Sequence, residues 1–147
     1  MKSIIKSILL ISILSIIAEY SCTNMSKEDK FANNNISGTW KLVGFVDVEK
    51  GEMKEAEPDD EWCYVLKFKE DGKLSGMSST NSFEGMYEID YSKSSINIFI
   101  ALITYVNEYL DGELYMKSLK NADFFSLEKD VLKLYYNYGK NNLLFKE

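Results

Sequence analysis

Between Phe83 and Ala101 the chain alternates with the period of a β-strand, turns on three polar residues, and alternates again. Phe83, Gly85, Tyr87, Ile89 and Tyr91 share one parity, while Glu84, Met86, Glu88 and Asp90 share the other. Ser92-Lys93-Ser94 separates this run from Ser95 to Ala101, where Ile96, Ile98 and Ile100 share a face. Two neighbouring runs of period two, joined by so short a link, can pair only antiparallel, because a parallel crossover needs a dozen residues or more. One face of each run must be buried and the other left to water.

The rest of the chain repeats the pattern. Thr39 to Val48 reads as a strand with Trp40, Leu42, Val46 and Val48 on one side and Val43 and Phe45 on the other, so both faces are expected to be partly covered. Glu49 to Glu61 is acidic, carries the single proline, Pro58, and reads as a loop. Trp62 to Lys69 and Lys73 to Ser78 read as strands joined at Glu70-Asp71-Gly72-Lys73, where Asp-Gly supplies the positive φ of a tight hairpin. Leu102 to Leu110 is ambiguous between strand and loop. Glu113 to Lys120 has helical spacing, with Leu114, Met116 and Leu119 among polar residues and Asp111 placed to cap its start. Ala122 to Leu127, Val131 to Tyr138 and Asn142 to Lys146 complete a meander. About eight short strands, one helix and no long crossover predict a mainly β domain. The expected form is a small closed or half-open antiparallel barrel plugged by its one short helix, which removes most exposed edges.

The first residues are of another kind. Lys2 and Lys6 precede an apolar run from Ile8 to Ala18, interrupted only by Ser12 and Ser15, and small residues lead to Cys22. This is the order of a secretory signal, with a run too short to stay in a bilayer. A cysteine at the cut is the acceptor for a diacylglyceryl anchor in bacterial lipoproteins. Residues 1–21 are therefore expected to be a signal peptide and Cys22 the lipidated first residue. Ser21 fits the lipobox, whereas Glu19 stands where an apolar residue is usual. Residues 22–35 are polar and read as a flexible tether, whose thirteen residues after the cysteine reach about 20 Å. Within it, Ser26-Lys27-Glu28-Asp29 resembles the charged export signal of surface lipoproteins. Residues 36–147 form the domain.

Composition narrows the chemistry. Net charge is -6, and loss of the signal makes it one unit more negative. Every basic residue is Lys, with no Arg and no His. No basic stripe for nucleic acid exists, and bidentate guanidinium clamps on phosphate are impossible. The usual general base and metal ligand is missing. Cys63 reads as a small apolar residue in a strand, and it can pair with Cys22 only if Cys22 is not acylated.

Gly38-Thr39-Trp40-Lys41-Leu42-Val43 resembles the opening strand of the META domain, the HslJ-like family of envelope lipoproteins. The order continues through Leu66-Lys67-Phe68, Asp71 to Gly76, Asn81 to Tyr87, Leu114 to Lys120, Phe124 to Leu127, and Leu132 to Tyr135 with Leu143-Leu144-Phe145. Ser79-Thr80 replaces the Gly-Cys that often precedes the Asn, so the family's cysteine pair does not transfer. Gly38-Thr39-Trp40 is equally similar to the first strand of lipocalins and other calycin barrels. The first resemblance implies an accessory or stress-related envelope protein that is no enzyme and meets other envelope proteins. The second implies a carrier for a small apolar ligand, with Trp40 closing the barrel.

Three sets of residues are candidates for a site. The acids Glu49, Glu52, Glu55, Glu57, Asp59, Asp60 and Glu61 offer oxygens to Ca²⁺, but in no EF-hand spacing, so a solvated loop and no metal are expected. Glu84, Glu88 and Asp90 lie on the expected solvent face, and the serines from Ser75 to Ser82 lack an activating partner, so no catalytic set and no cofactor are expected. Tyr105, Tyr109, Tyr135, Tyr136 and Tyr138 are the best binding candidates, since tyrosine presents a flat apolar body with a polar tip; a surface glycan-binding module is the third reading. Trp40 and Trp62 are expected in the core.

Overall fold

The computed structural model describes residues 35–147, so the expected signal, the lipid attachment at Cys22 and all but the end of the tether lie outside the described residues. The strands are β1 (Gly38–Asp47), β2 (Glu52–Glu55), β3 (Val65–Phe68), β4 (Lys73–Met77), β5 (Ser82–Asp90), β6 (Ser95–Ile103), β7 (Phe124–Glu128), β8 (Val131–Tyr136) and β9 (Asn141–Lys146). Among the described residues a single helix, α1 (Gly112–Lys120), joins β6 to β7. Each strand pairs antiparallel with its neighbour in the order β2-β1-β3-β4-β5-β6-β7-β8-β9, and β1 also pairs with β9. The sheet thus closes into a ring, as the sequence predicts.

The ring is not a regular barrel. β5 and β6 pair over most of their lengths, but β6 meets β7 only at Ser95 and Phe124. Two backbone bonds hold this seam, Ile96 N to Asp123 O at 3.0 Å and Phe125 N to Ser94 O at 2.9 Å. Beside it α1 turns its apolar side inward: Tyr115, Met116 and Leu119 are buried.

Because strand directions alternate, turns alternate between the two ends. One end carries the tight turns after β3, β5 and β7, together with the entry and exit of the domain. There Ile36 N donates to Tyr91 Oη at 3.1 Å and Glu147 N to Asp130 O at 3.0 Å. The opposite end carries the longer loops 56–64, 78–81 and 104–111, α1, and the β8–β9 turn.

Side chains fill the interior. Trp40, Tyr64, Phe68, Phe83, Tyr115 and Phe145 are all essentially inaccessible, with Leu66, Leu74, Leu119, Leu132 and Leu134 between them. Trp40 also spends its polar atom, Nε1 donating to Ile36 O at 2.8 Å. Tyr115 sits at the centre of an aromatic cluster, its ring 5.2 Å from Tyr64 and 6.4 Å from Phe145. These side chains pack the space between the strands.

Four local expectations are corrected. Residues 52–55, expected in a loop, form β2, an edge strand paired with Gly44–Asp47. A bulge between Leu42 and Gly44 reverses parity along β1, so Phe45 faces the core in place of Val46, and Val48 is exposed. Trp62 lies in the turn before β3 and is 71% exposed, not core. Asp111 makes no capping bond to α1, because its side chain is used elsewhere.

Candidate functional site

The loop end is where polar chemistry collects. Asn81, in the β4–β5 loop, uses both ends of its amide on the segment after β6. Nδ2 donates to Val106 O at 2.7 Å, and Oδ1 accepts from Val106 N at 2.8 Å. A side chain thus completes a ladder where the backbone strand has ended.

Glu108 lies beside it. Ser78 Oγ is 2.7 Å from both carboxylate oxygens, Ser79 Oγ donates to Oε2 at 2.7 Å, Asn81 Nδ2 to Oε1 at 2.8 Å, and Thr80 Oγ1 to Oε2 at 3.2 Å. Burial pushes this carboxyl up, but the donors of Ser78, Asn81, Ser79 and Thr80 outweigh it and hold Glu108 below its ordinary value. Asp111 is a second carboxylate in these loops, buried where Glu108 is half-buried. It pairs with Lys54 of β2 and accepts from Glu57 N at 3.0 Å, while Tyr64 Oη donates to Glu57 O. Both carboxylates are spent on tying loops together.

Cys63 closes the same region from beneath. Its Sγ lies 3.4 Å from Ser79 O, and burial pushes its thiol up, away from the reactive thiolate. It is buried, as expected, though it lies just before β3, and it forms no disulfide among the described residues. Among the described residues no three acids, cysteines or histidines converge to hold a metal ion. Glu84 and Glu88 point to solvent from β5, with Asp90 half-buried at its end.

The five tyrosines do not form one site. Tyr135 and Tyr136 lie on opposite faces of β8, half-buried. Tyr138 stands in the β8–β9 turn, 92% exposed. Tyr136 and Tyr138 line a groove of about 640 Å³ against α1, with Leu114, Lys117, Asn121 and Asp123. Tyr105 lines a second groove of about 530 Å³ on the other flank of α1, with Glu113, Met116 and Lys120. Tyr109 belongs to neither, and it is exposed alongside Val106, Leu110 and Trp62 at this end of the ring.

The described residues thus form a closed antiparallel ring with one inserted helix, an aromatic core and a polar loop network built on Asn81, Glu108 and Asp111. No protein-family model matches the chain. The chain is similar to a protein of Tannerella forsythia described as "Putative lipoprotein", at 25% identity over 114 residues, covering 76% of this chain and 74% of that one. Its fold is similar to the crystal structure of a DUF4847 family protein from Bacteroides vulgatus, with a TM-score of 0.60 and 21% identity, covering 75% of this chain and 92% of that one.

Proposed function

We propose that this protein is a bacterial envelope lipoprotein, acylated at Cys22, whose β domain is a non-catalytic accessory that contacts other envelope proteins through its loop end. The polarity of the ring carries this reading. The tether joins at Asn35, among the tight turns, where Ile36 is bonded to Tyr91. The opposite end is where Trp62, Tyr105, Val106, Tyr109 and Leu110 are exposed. Exposed Trp and Tyr among polar neighbours are the residue types that dominate protein contacts. The lipoprotein description of the Tannerella relative supports the anchor, as does the signal ending at Cys22. The accessory or stress-related role is what the META-like order of motifs implies, and an outer-membrane location is part of the same proposal.

Two measurements test the two halves. Mass spectrometry of the mature protein should find an acylated Cys22 at its N-terminus; a free thiol there, or a different first residue, would remove the anchor. A photo-crosslinking residue at position 105 in cells should give a discrete adduct that the same residue at Phe99, on the outer wall of β6, does not. Equal labelling from both positions would remove the docking role.

A further inference from the structure

The groove between α1 and the β8–β9 turn has features that folding alone does not explain. The turn runs through three consecutive positive-φ residues, Asn137 at 54°, Tyr138 at 57° and Gly139 at 77°. Asn and Gly adopt this conformation at little cost, but a bulky side chain does so rarely and against a penalty of about 1–2 kcal/mol. Tyr138 recovers none of that by burial, since its ring is 92% exposed. It lines instead a groove shared with Tyr136, Leu114 and Lys117.

The polar groups around these rings are only partly used. Asn121 Nδ2 donates to Lys117 O at 2.7 Å and Asn137 Nδ2 to Asn141 Oδ1 at 3.0 Å, which leaves both carbonyl oxygens open to a donor. Lys117 and Asp123 enter none of the ion pairs formed among the described residues. The groove therefore offers a cation, an anion, two amide acceptors and two phenols around an aromatic platform, in a volume within the ~300–1,000 Å³ of small-ligand sites.

We propose that this groove binds a neutral glycan of one or two pyranose rings. Sugar rings present an apolar C–H face to stack on tyrosine and a rim of hydroxyls that both donate and accept. That rim matches a mixed set of Lys117, Asp123, Asn121 and Asn137. An apolar ligand would strip water from Lys117 and Asp123 without replacing it. An anionic ligand would meet one cation and one anion on a chain of net charge -6, with no arginine to clamp it. The groove shares Lys117 and Asn121 with the groove beside Tyr105, but Tyr138 and Asp123 line only this one, so substitutions there test the glycan reading without touching the docking residues.

The test is a neutral-oligosaccharide array probed with the full chain in a detergent that lacks a sugar headgroup. The expected result is retention on at least one neutral glycan, weakened tenfold or more by Tyr138→Ala and by Asp123→Ala, and unchanged by Phe99→Ala. Both site residues are exposed, and cooperative melting of each variant confirms that it is folded. Absence of retention on every neutral glycan would overturn the proposal. So would retention that survives both site substitutions, or that disappears equally in Phe99→Ala.

Discussion

The amide of Asn81 stands in for a β-strand opposite Val106, donating to its carbonyl at 2.7 Å and accepting from its N–H at 2.8 Å. The same side chain reaches Glu108 and Thr104, so one residue ties the segment after β6 to the β4–β5 loop. Asn81→Ala removes these partners at once and leaves several groups unpaired. At about 1 kcal/mol for each neutral bond, and more for the bond to the carboxylate, the loss is about 3–4 kcal/mol. Urea unfolding should show a lower midpoint with an unchanged slope, and amides 104–108 should exchange faster. A shift below about 1 kcal/mol would mean that the loops are held by something else.

Glu108 gives the protein an acid-sensitive contribution. Its folded-state pKa lies below the ordinary 4.5, so its stabilisation is present above that value and is lost as pH falls through the folded-state value. Glu108→Gln keeps the shape but gives up charge-assisted bonds worth about 1.5–3 kcal/mol each at full strength. The variant should be less stable than the parent by about 1–2 kcal/mol at pH 7, and the two should converge below pH 4.5. Denaturant titrations at pH 3, 5 and 7 decide this; a constant gap across the series would sink the linkage.

Tyr115 carries a hydroxyl that no partner meets in the packed interior. Burial also raises its phenol above the ordinary 10.0, and Tyr64 is pushed up to about 12 by burial and then by the nearby Asp111. Raised acids of this kind stabilise fully below the unfolded value, and that stability is lost as pH rises above it. Each such tyrosine contributes a slope of about 1.4 kcal/mol per pH unit between its unfolded and folded values. Tyr115→Phe removes an unpaired polar atom, so stability at pH 7 should be unchanged or higher by about 1 kcal/mol. Above pH 10 its stability should fall less steeply than the parent's, by about 1.4 kcal/mol per pH unit. A variant that is clearly destabilised at pH 7 would show that the hydroxyl has a partner.

What is legible in the sequence is what short-range periodicity encodes. The β5–β6 hairpin follows from the alternation of Phe83 to Tyr91, and the β3–β4 turn from Asp71-Gly72, where Gly72 takes φ of 79°. β2 is hidden because Glu52 to Glu55 is wholly exposed, and an edge strand with no buried face leaves no apolar alternation. The parity of Val46 and Val48 is lost at a bulge, which composition does not announce. Hydrophobicity alone puts Trp62 in the core, although the strand begins only at Val65. The polar network is least visible of all. Asn81 and Glu108 are 27 residues apart, before β5 and after β6, and the register of that hairpin, with Phe83 opposite Ile103, brings them together. Of the five candidate tyrosines, Tyr105, Tyr109 and Tyr138 are exposed, and the sequence does not show that Tyr105 and Tyr138 fall on different flanks of α1.

Gly85 marks the place where the wall of the ring is most tightly closed. It sits at the bulge between β5 and β6, where an added Cβ would lie 2.0 Å from Phe99 O and 3.0 Å from Ile100 Cα. Both are backbone atoms of the strand pair with the longest register in the ring, so neither can move aside without breaking ladder bonds. Gly85→Ala should therefore cost about 3 kcal/mol or more, as overpacking against fixed backbone does. Gly51 provides the contrast. It has φ of 69°, and an added Cβ there would meet nothing within 4 Å, so Gly51→Ala faces only the left-handed penalty of about 1–2 kcal/mol. Thermal melts of the two variants side by side should show the larger fall for Gly85→Ala, and equal falls would mean that the β5–β6 bulge is free to open.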